Sequence, residues 1–172
     1  MAEQPSSANP YAPPAAHVED VDVSAAGTLA GRGTRLGAAI VDLLIAMIAW
    51  GIVSVLTPLN IFRPDVGFAS GVAYIALVTA SGFAMFVAIH GYWLATQGQT
   101  IGKLATRIRI VRGDGSRASF VRIVFARYLP TAVLASIPLV GSIYALVDAL
   151  LIFRDSRKCL HDTIADTVVV KA

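Results

Sequence analysis

At 172 residues the chain is long enough for one domain of ordinary size. Its hydrophobic fraction of 56% against only 15% charged residues excludes an ordinary soluble globule, where about a quarter of residues are charged. A single cysteine, Cys159, excludes an intramolecular disulfide, and a pI near 9.3 marks a basic chain.

The first stretch, MAEQPSSANPYAPPAAHVED, is rich in Pro, Ala and Ser and carries no apolar period. Residues 1–33 are therefore expected to form a disordered tail, and residues 34–172 the membrane domain. Two apolar runs follow, Leu36 to Leu56 with Asp42 as its only charge, and Phe68 to Ala95 with only His90 ionisable. Each exceeds the roughly 20 residues that cross a hydrocarbon core of about 30 Å, which makes the chain an integral membrane protein. The first run starts too late, and is too long, for a cleaved signal peptide. Along the second run Ala76, Ala80, Ala84 and Ala88 recur at every fourth position above Gly67 and Gly71, a stripe of small residues expected to pack against the first span.

GQTIGK, Gly98 to Lys103, has the look of a phosphate-binding loop, but only Gln99, Thr100 and Ile101 separate its glycines. A P-loop needs four residues there and a strand before it, so the nucleotide reading fails. The following LATRIRIVR alternates, with Ile108 and Ile110 on one side and Arg107 and Arg109 on the other. Gly113-Asp114-Gly115 is a turn signal, and the C-terminal DTVVVKA is strand-like. The two short segments, Arg107 to Val111 and Thr167 to Val170, are expected to pair, since neither is stable alone.

Basic residues cluster before the first run (Arg32, Arg35), between the second and third (Lys103, Arg107, Arg109, Arg112, Arg117, Arg122, Arg127) and after the third (Arg154, Arg157, Lys158, Lys171). Only Arg63 lies in the link between the first two runs. The positive-inside rule places both termini and the central loop on the cytoplasmic side of the membrane. The third run, Tyr128 to Phe153, then has basic residues at both ends, and Pro138 with Gly141 supplies a break at which it folds back; a single kinked span is the alternative. The fold class is a small all-α bundle of about four transmembrane or half-membrane helices with a short cytoplasmic β-pair. Arg122 and Arg127 are expected at the interface, their stems snorkelling. Anionic lipid headgroups account for the basic charge without nucleic acid.

The polar residues of the membrane layer are the candidate site. Asp42 lies about 9 Å along the first helix, and Arg35 two turns earlier. The fold-back carries Asp148 to a similar depth, close to Arg127. A charge in the bilayer costs several kcal/mol unless paired or wetted, so Arg35, Asp42, Arg127 and Asp148 are expected to cluster as Arg35–Asp42 and Arg127–Asp148 pairs. These pairs are either static ties or an ion and proton path that His90 joins. Cys159 reads as an incidental thiol. His161, Asp162 and Asp166 offer too few ligands at convincing spacing for a metal, and Asp162 reads as a turn cap. No catalytic triad or paired catalytic acids stand out, and no cofactor or enzyme activity is expected.

Three ordered blocks resemble the RDD family of prokaryotic membrane proteins, named for an arginine and two aspartates. TRLGAAIVDLL carries Arg35 and Asp42 in the family's positions. GQTIGKLATRIRIVRGDGSRASFVRIVFARYL is similar to its glycine-rich stretch (Gly98, Gln99, Thr100, Gly102, Lys103) followed by its arginine. DALLIFRDSRKCLHDTIADTVVVK matches its C-terminal signature, in which Asp148 and the His161-Asp162 pair both stand as candidates for the second aspartate. Ile101 departs from the proline often found there. The resemblance implies that the glycines permit a tight turn where the second helix leaves the membrane and that Lys103 anchors at the headgroups. It also implies transport: some members look like sodium/proton antiporters. Two functions follow as expectations, a small exchanger of a monovalent cation for protons, or a non-catalytic accessory subunit of a homo-oligomer or larger membrane complex.

Overall fold

The computed structural model describes residues 27–57 and 68–172. The proposed tail through residue 26 and the link containing Arg63 and Gly67 lie outside them. Helix α1 (Arg32–Leu56) and helix α2 (Phe68–Gln97) are both long and apolar enough to cross a membrane. Along α1 a narrow stripe through Arg35, Ala38, Asp42, Ile45 and Val53 turns inward at helical spacing, while Leu36, Ile40, Leu44, Met47 and Ile48 are exposed. Gly82 of α2 faces α1, and a Cβ there would make an ordinary van der Waals contact with the Trp50 ring at 3.7 Å. Ala76, Ala80, Ala84 and Ala88 are exposed. The small-residue stripe therefore does not pack on α1, because contact with Trp50 turns the Gly82 face toward that helix instead.

Helix α2 ends at Gly98, whose φ of +67° is a left-handed conformation open to glycine. A Cβ at Gly98 would also sit 2.7 Å from the Ile110 carbonyl oxygen, and Ile110 N–H donates to the Gly98 carbonyl at 2.9 Å. The short helix α3 (Ile101–Ala105) follows at once, its N-cap Thr100 accepting from Lys103 N–H. Strand β1 (Ile108–Arg112) pairs antiparallel with β2 (Thr167–Lys171), Ile110 opposite Val169. The expected strand pair is present, shifted by a single residue in β1. Thr28 to Ala30 runs along the other side of β2: Ala30 N–H donates to the Val169 carbonyl and Lys171 N–H to that of Thr28, both at 3.0 Å. The backbone ahead of α1 thus lies along the edge of β2 that β1 leaves open.

The third apolar region is two helices. A π-helical segment, Arg122–Tyr128, runs into α4 (Leu129–Ser136), and α5 (Val140–Leu150) follows, closed by a 3-10 turn at Leu151–Phe153. Pro130 at the start of α4 cannot donate to the preceding turn, and the wider π spiral upstream suits that gap. The reversal uses Leu139 at φ +65° and Gly141, where a Cβ would lie 2.4 Å from the Ala135 carbonyl oxygen. Thr131 Oγ1 and Tyr144 Oη, 3.0 Å apart, tie α4 to α5. Each arm is about 20 Å long at 1.5 Å per residue, short of a full crossing.

The buried core lies where the start of α1, the end of α2, the two strands and the π-helical segment meet. Ala30, Ala38, Leu94, Ile108, Ile110, Ala118, Ile123, Val124 and Val169 form one cluster, and Val111, Val168 and Val170 a second on the other face of the sheet. The short helix α6 (Leu160–Ile164) leads into β2 beside them.

Gly102 is the tightest point of this assembly: a Cβ there would meet the Ala38 carbonyl oxygen at 2.2 Å and the Asp42 carboxyl carbon at 2.8 Å. Gly102→Ala should therefore lower stability by about 3 kcal/mol or more through overpacking against backbone. Gly37→Ala, where nothing lies within 4 Å, should be neutral or stabilising by up to about 1 kcal/mol. Thermal unfolding of both variants in detergent checks the contrast.

Candidate functional site

The centre of the charged layer is Asp162. Its carboxylate has no exposed surface and is held on both oxygens, Oδ2 by Arg35 Nη2 from the first turn of α1 and Oδ1 by Arg127 Nη1 from the π-helical segment. Arg127 Nη1 also donates to Thr167 Oγ1 at 2.7 Å, and Arg35 Nη1 donates to the Arg157 carbonyl oxygen. Asp162 is the third residue of α6, where Oδ2 also accepts Cys159 N–H at 3.2 Å while the Cys159 side chain accepts the Asp162 N–H. This is a reciprocal capping box. One carboxylate thus joins α1, the π-helical segment and the turn ahead of β2.

Neither expected pair forms. Seven residues separate Arg35 from Asp42, about 10 Å along the helix, and the Arg35 side chain reaches toward α6 instead. Arg127 is only 2% exposed and does not snorkel, because Asp162 supplies its counter-charge inside the chain. Asp148, on the last turns of α5, pairs with His161: Nδ1 lies 2.7 Å from Oδ2, and His161 N–H donates to Oδ1 at 3.2 Å. His161 Nε2 is 3.9 Å from Asp162 Oδ2, so the imidazole stands between the two carboxylates. With two guanidinia, two carboxylates and a neutral imidazole, the cluster balances in charge.

Burial alone would raise the pKa of Asp162, but Arg127, then His161 and Arg35, outweigh it and hold the acid well below the usual carboxylate range. Burial and the nearby Arg127 lower that of His161, against the pull of Asp148 and Asp162. Burial pushes the Cys159 thiol up to about 11, although Arg35 opposes it.

Asp42 belongs to a separate cluster. It accepts Gly102 N–H at 2.7 Å and the Thr100 hydroxyl at 2.5 Å, with Lys103 Nζ 4.0 Å away. It therefore fastens α3 to α1. Lys103 points inward, its Nζ 3.3 Å from Tyr128 Oη, and does not anchor at headgroups, because Asp42 and Tyr128 give it polar partners inside. His90, buried beside Phe86, accepts Ile101 N–H on Nδ1 at 3.3 Å. Gln99 Nε2 donates to the Ile108 carbonyl at 2.9 Å, so the glycine-rich stretch serves as a junction between α2, α3 and β1.

For a metal, the structure brings together a set absent from the sequence reading. Asp148, Cys159 and His161 each place one ligand atom within 4.8 Å of the others, whereas Asp162 is taken up by the arginines. The signal available in the sequence was the Cys-x-His spacing ahead of a strand; Asp148, eleven residues upstream of Cys159, is added only by the fold.

Two predictions follow from this geometry. Asp162→Asn strands two guanidinia and should cost about 3–5 kcal/mol, against about 1 kcal/mol for Asp42→Asn, whose amide oxygen still accepts. Adding Arg127→Met to Asp162→Asn should cost less than the sum of the two, measurable as a double-mutant cycle in denaturant. For pH, His161 binds its proton more weakly in the folded chain than at its ordinary value near 6.5. Its contribution to stability is thus present above about pH 6.5 and is lost as pH falls below it, where the unfolded chain takes up the proton first. The depressed Asp162 adds a loss only at much lower pH. Unfolding curves in EDTA should show a decline below pH 6.5 that His161→Gln reduces.

The site residues coincide with the three motif blocks. The RDD family model matches residues 29–166, which spans α1 through α6 and takes in Arg35, Asp42, the Gly98 to Lys103 stretch, Arg127, Asp148, His161 and Asp162. No curated protein and no solved structure matches the chain significantly. With its two long apolar helices and a family match over most of its length, the chain belongs to the RDD family of membrane proteins.

Proposed function

We propose that this chain is a non-enzymatic assembly subunit of the bacterial cell membrane, with the strand cap and both termini in the cytoplasm. The observation that carries this reading is the employment of the membrane-layer acids. Asp162 joins α1 to the π-helical segment, Asp42 joins α1 to α3, and Asp148 joins α5 to α6. Each carboxylate already has its partners inside the chain and works as a fastener. The outward faces of α1 and α2 support the same reading. Leu36, Leu43, Met47, Ile48 and the Ala76 to Ala88 stripe leave broad apolar area for a second copy or other membrane subunits. The basic cap, with Arg107, Arg109 and Lys171, suits anionic headgroups and needs no nucleic acid.

A second reading, exchange of a monovalent cation for protons, is favoured by the cluster of Asp42, Lys103, His90 and Tyr128. There a carboxylate and an ammonium 4.0 Å apart share a partly exposed position. Such intramembrane acids are typical of ion paths.

Reconstitution in proteoliposomes carrying a pH-sensitive dye tests the pair. The assembly reading expects no pH change driven by sodium or potassium gradients above that of empty vesicles. It also expects native membranes to hold the protein in crosslinked species larger than the monomer. A cation-driven flux that Asp42→Asn abolishes would overturn it in favour of exchange.

A further inference from the structure

We propose that Asp148, Cys159 and His161 form a three-ligand site for a zinc-class divalent cation where α5 meets α6, a role added to the Asp148–His161 contact that fastens those helices. One donor atom from each residue lies within 4.8 Å of the other two. A carboxylate oxygen, an imidazole nitrogen and a thiolate sulfur are the ligand types of zinc, and three protein ligands with one open position are the pattern of its reactive or exchangeable sites. Hard cations such as magnesium or calcium take oxygen sets instead, so the donor types select against them.

The surroundings suit the ligands. Cys159 Sγ is an acceptor in this fold, taking a hydrogen bond from the Asp162 N–H and lying 3.7 Å from Arg35 Nη2. Both donors would remain to orient a thiolate. His161 Nδ1 and Asp148 Oδ2 already face each other at a hydrogen-bond distance of 2.7 Å, and a separation wider by about 0.6 Å would let both reach one tetrahedral ion at the usual bond lengths of about 2.0–2.1 Å. An ion inserted there takes the place of the hydrogen between them. The imidazole stays neutral by carrying its proton on Nε2, which faces Asp162 at 3.9 Å, and the thiol proton leaves to solvent. One carboxylate and one new thiolate match the two charges of a divalent ion, and Asp162 remains as the counter-charge of Arg35 and Arg127, so binding raises the net charge of the cluster by one. The His161 and Asp148 side chains, 19% and 16% exposed, provide the way in.

Full-length, tag-free protein in detergent, stripped with a chelator and kept reduced, would be titrated with cobalt(II) as a spectroscopic probe and then with zinc(II). The expected result is a single ion per chain, a thiolate-to-cobalt charge-transfer band, and displacement of cobalt by zinc. Cys159→Ser keeps an N-cap oxygen, should fold, and should lose the band with at least a tenfold loss of zinc affinity. Asp148→Asn should keep the band but weaken binding at least tenfold. Thermal unfolding without metal reports whether each variant is folded. A wild-type protein without a thiolate band overturns the proposal, as does a folded Cys159→Ser or Asp148→Asn variant that binds zinc as tightly as the wild type.

Discussion

The carboxylate of Asp162, fully enclosed and held between the guanidinia of Arg35 and Arg127, is the contact on which the remaining arrangement depends. Two arginines taken out of water need a counter-charge within reach, and an uncompensated one would cost several kcal/mol. By placing one oxygen toward each arginine, Asp162 fixes the first turn of α1 and the π-helical segment relative to the same short helix. The backbone then follows. Thr167 is held by Arg127, β2 begins there, and β1 and the Thr28 to Ala30 segment line up on its two sides. Such a buried ionic tie is weak as a source of net stability. Its value lies in register, since moving α6 by one residue would leave both arginines unpaired.

Around this centre the chain divides its tasks by depth. The packed apolar core sits at the cap, where Ile108, Ile110, Ile123, Val124 and Val169 leave little surface uncovered. Farther along α1 and α2 most side chains face outward, and Gly82 of α2 lies against Trp50 of α1. That division agrees with the physics of lipid: water does not drive helices together within a bilayer, so close contact depends on small residues and polar ties. In the proposed topology the cap lies on the aqueous side, where burial of apolar strands is favourable. The assembly role proposed above would draw on this division, because the packed cap holds two outward-facing helices that have surface to offer.

The glycine-rich stretch works by the same economy of space. Gly98 turns α2 off against Ile110, and Gly102 lets α3 lie on the α1 backbone so that Asp42 can accept its N–H. Substituting a side chain at either glycine separates elements that the polar ties need in contact. The stretch is thus a joint whose residue types are set by close approach, which explains why it imitates a phosphate loop in composition without its spacing.

What the sequence determined by itself is what local pattern encodes. Run length and missing charge define α1 and α2, period-two alternation at Ile108 and Ile110 with the β-branched Thr167 to Val170 defines the strand pair, and Pro138 with Gly141 defines the fold-back. The three motif blocks were equally legible, as was the need for buried charges to find partners. Which charge meets which was decided only by the tertiary structure. Arg35 and Asp162 are 127 positions apart, and no periodicity connects them. Asp42 and Asp148 were nearer matches by depth, yet helix phase turns Asp42 toward Gly102 and α6 brings His161 to Asp148. The local pattern makes Asp162 a turn cap, and its Oδ2 does cap Cys159 N–H. Its second role arises because the same carboxylate is closed off from water by three converging elements, a property of packing that no single segment carries.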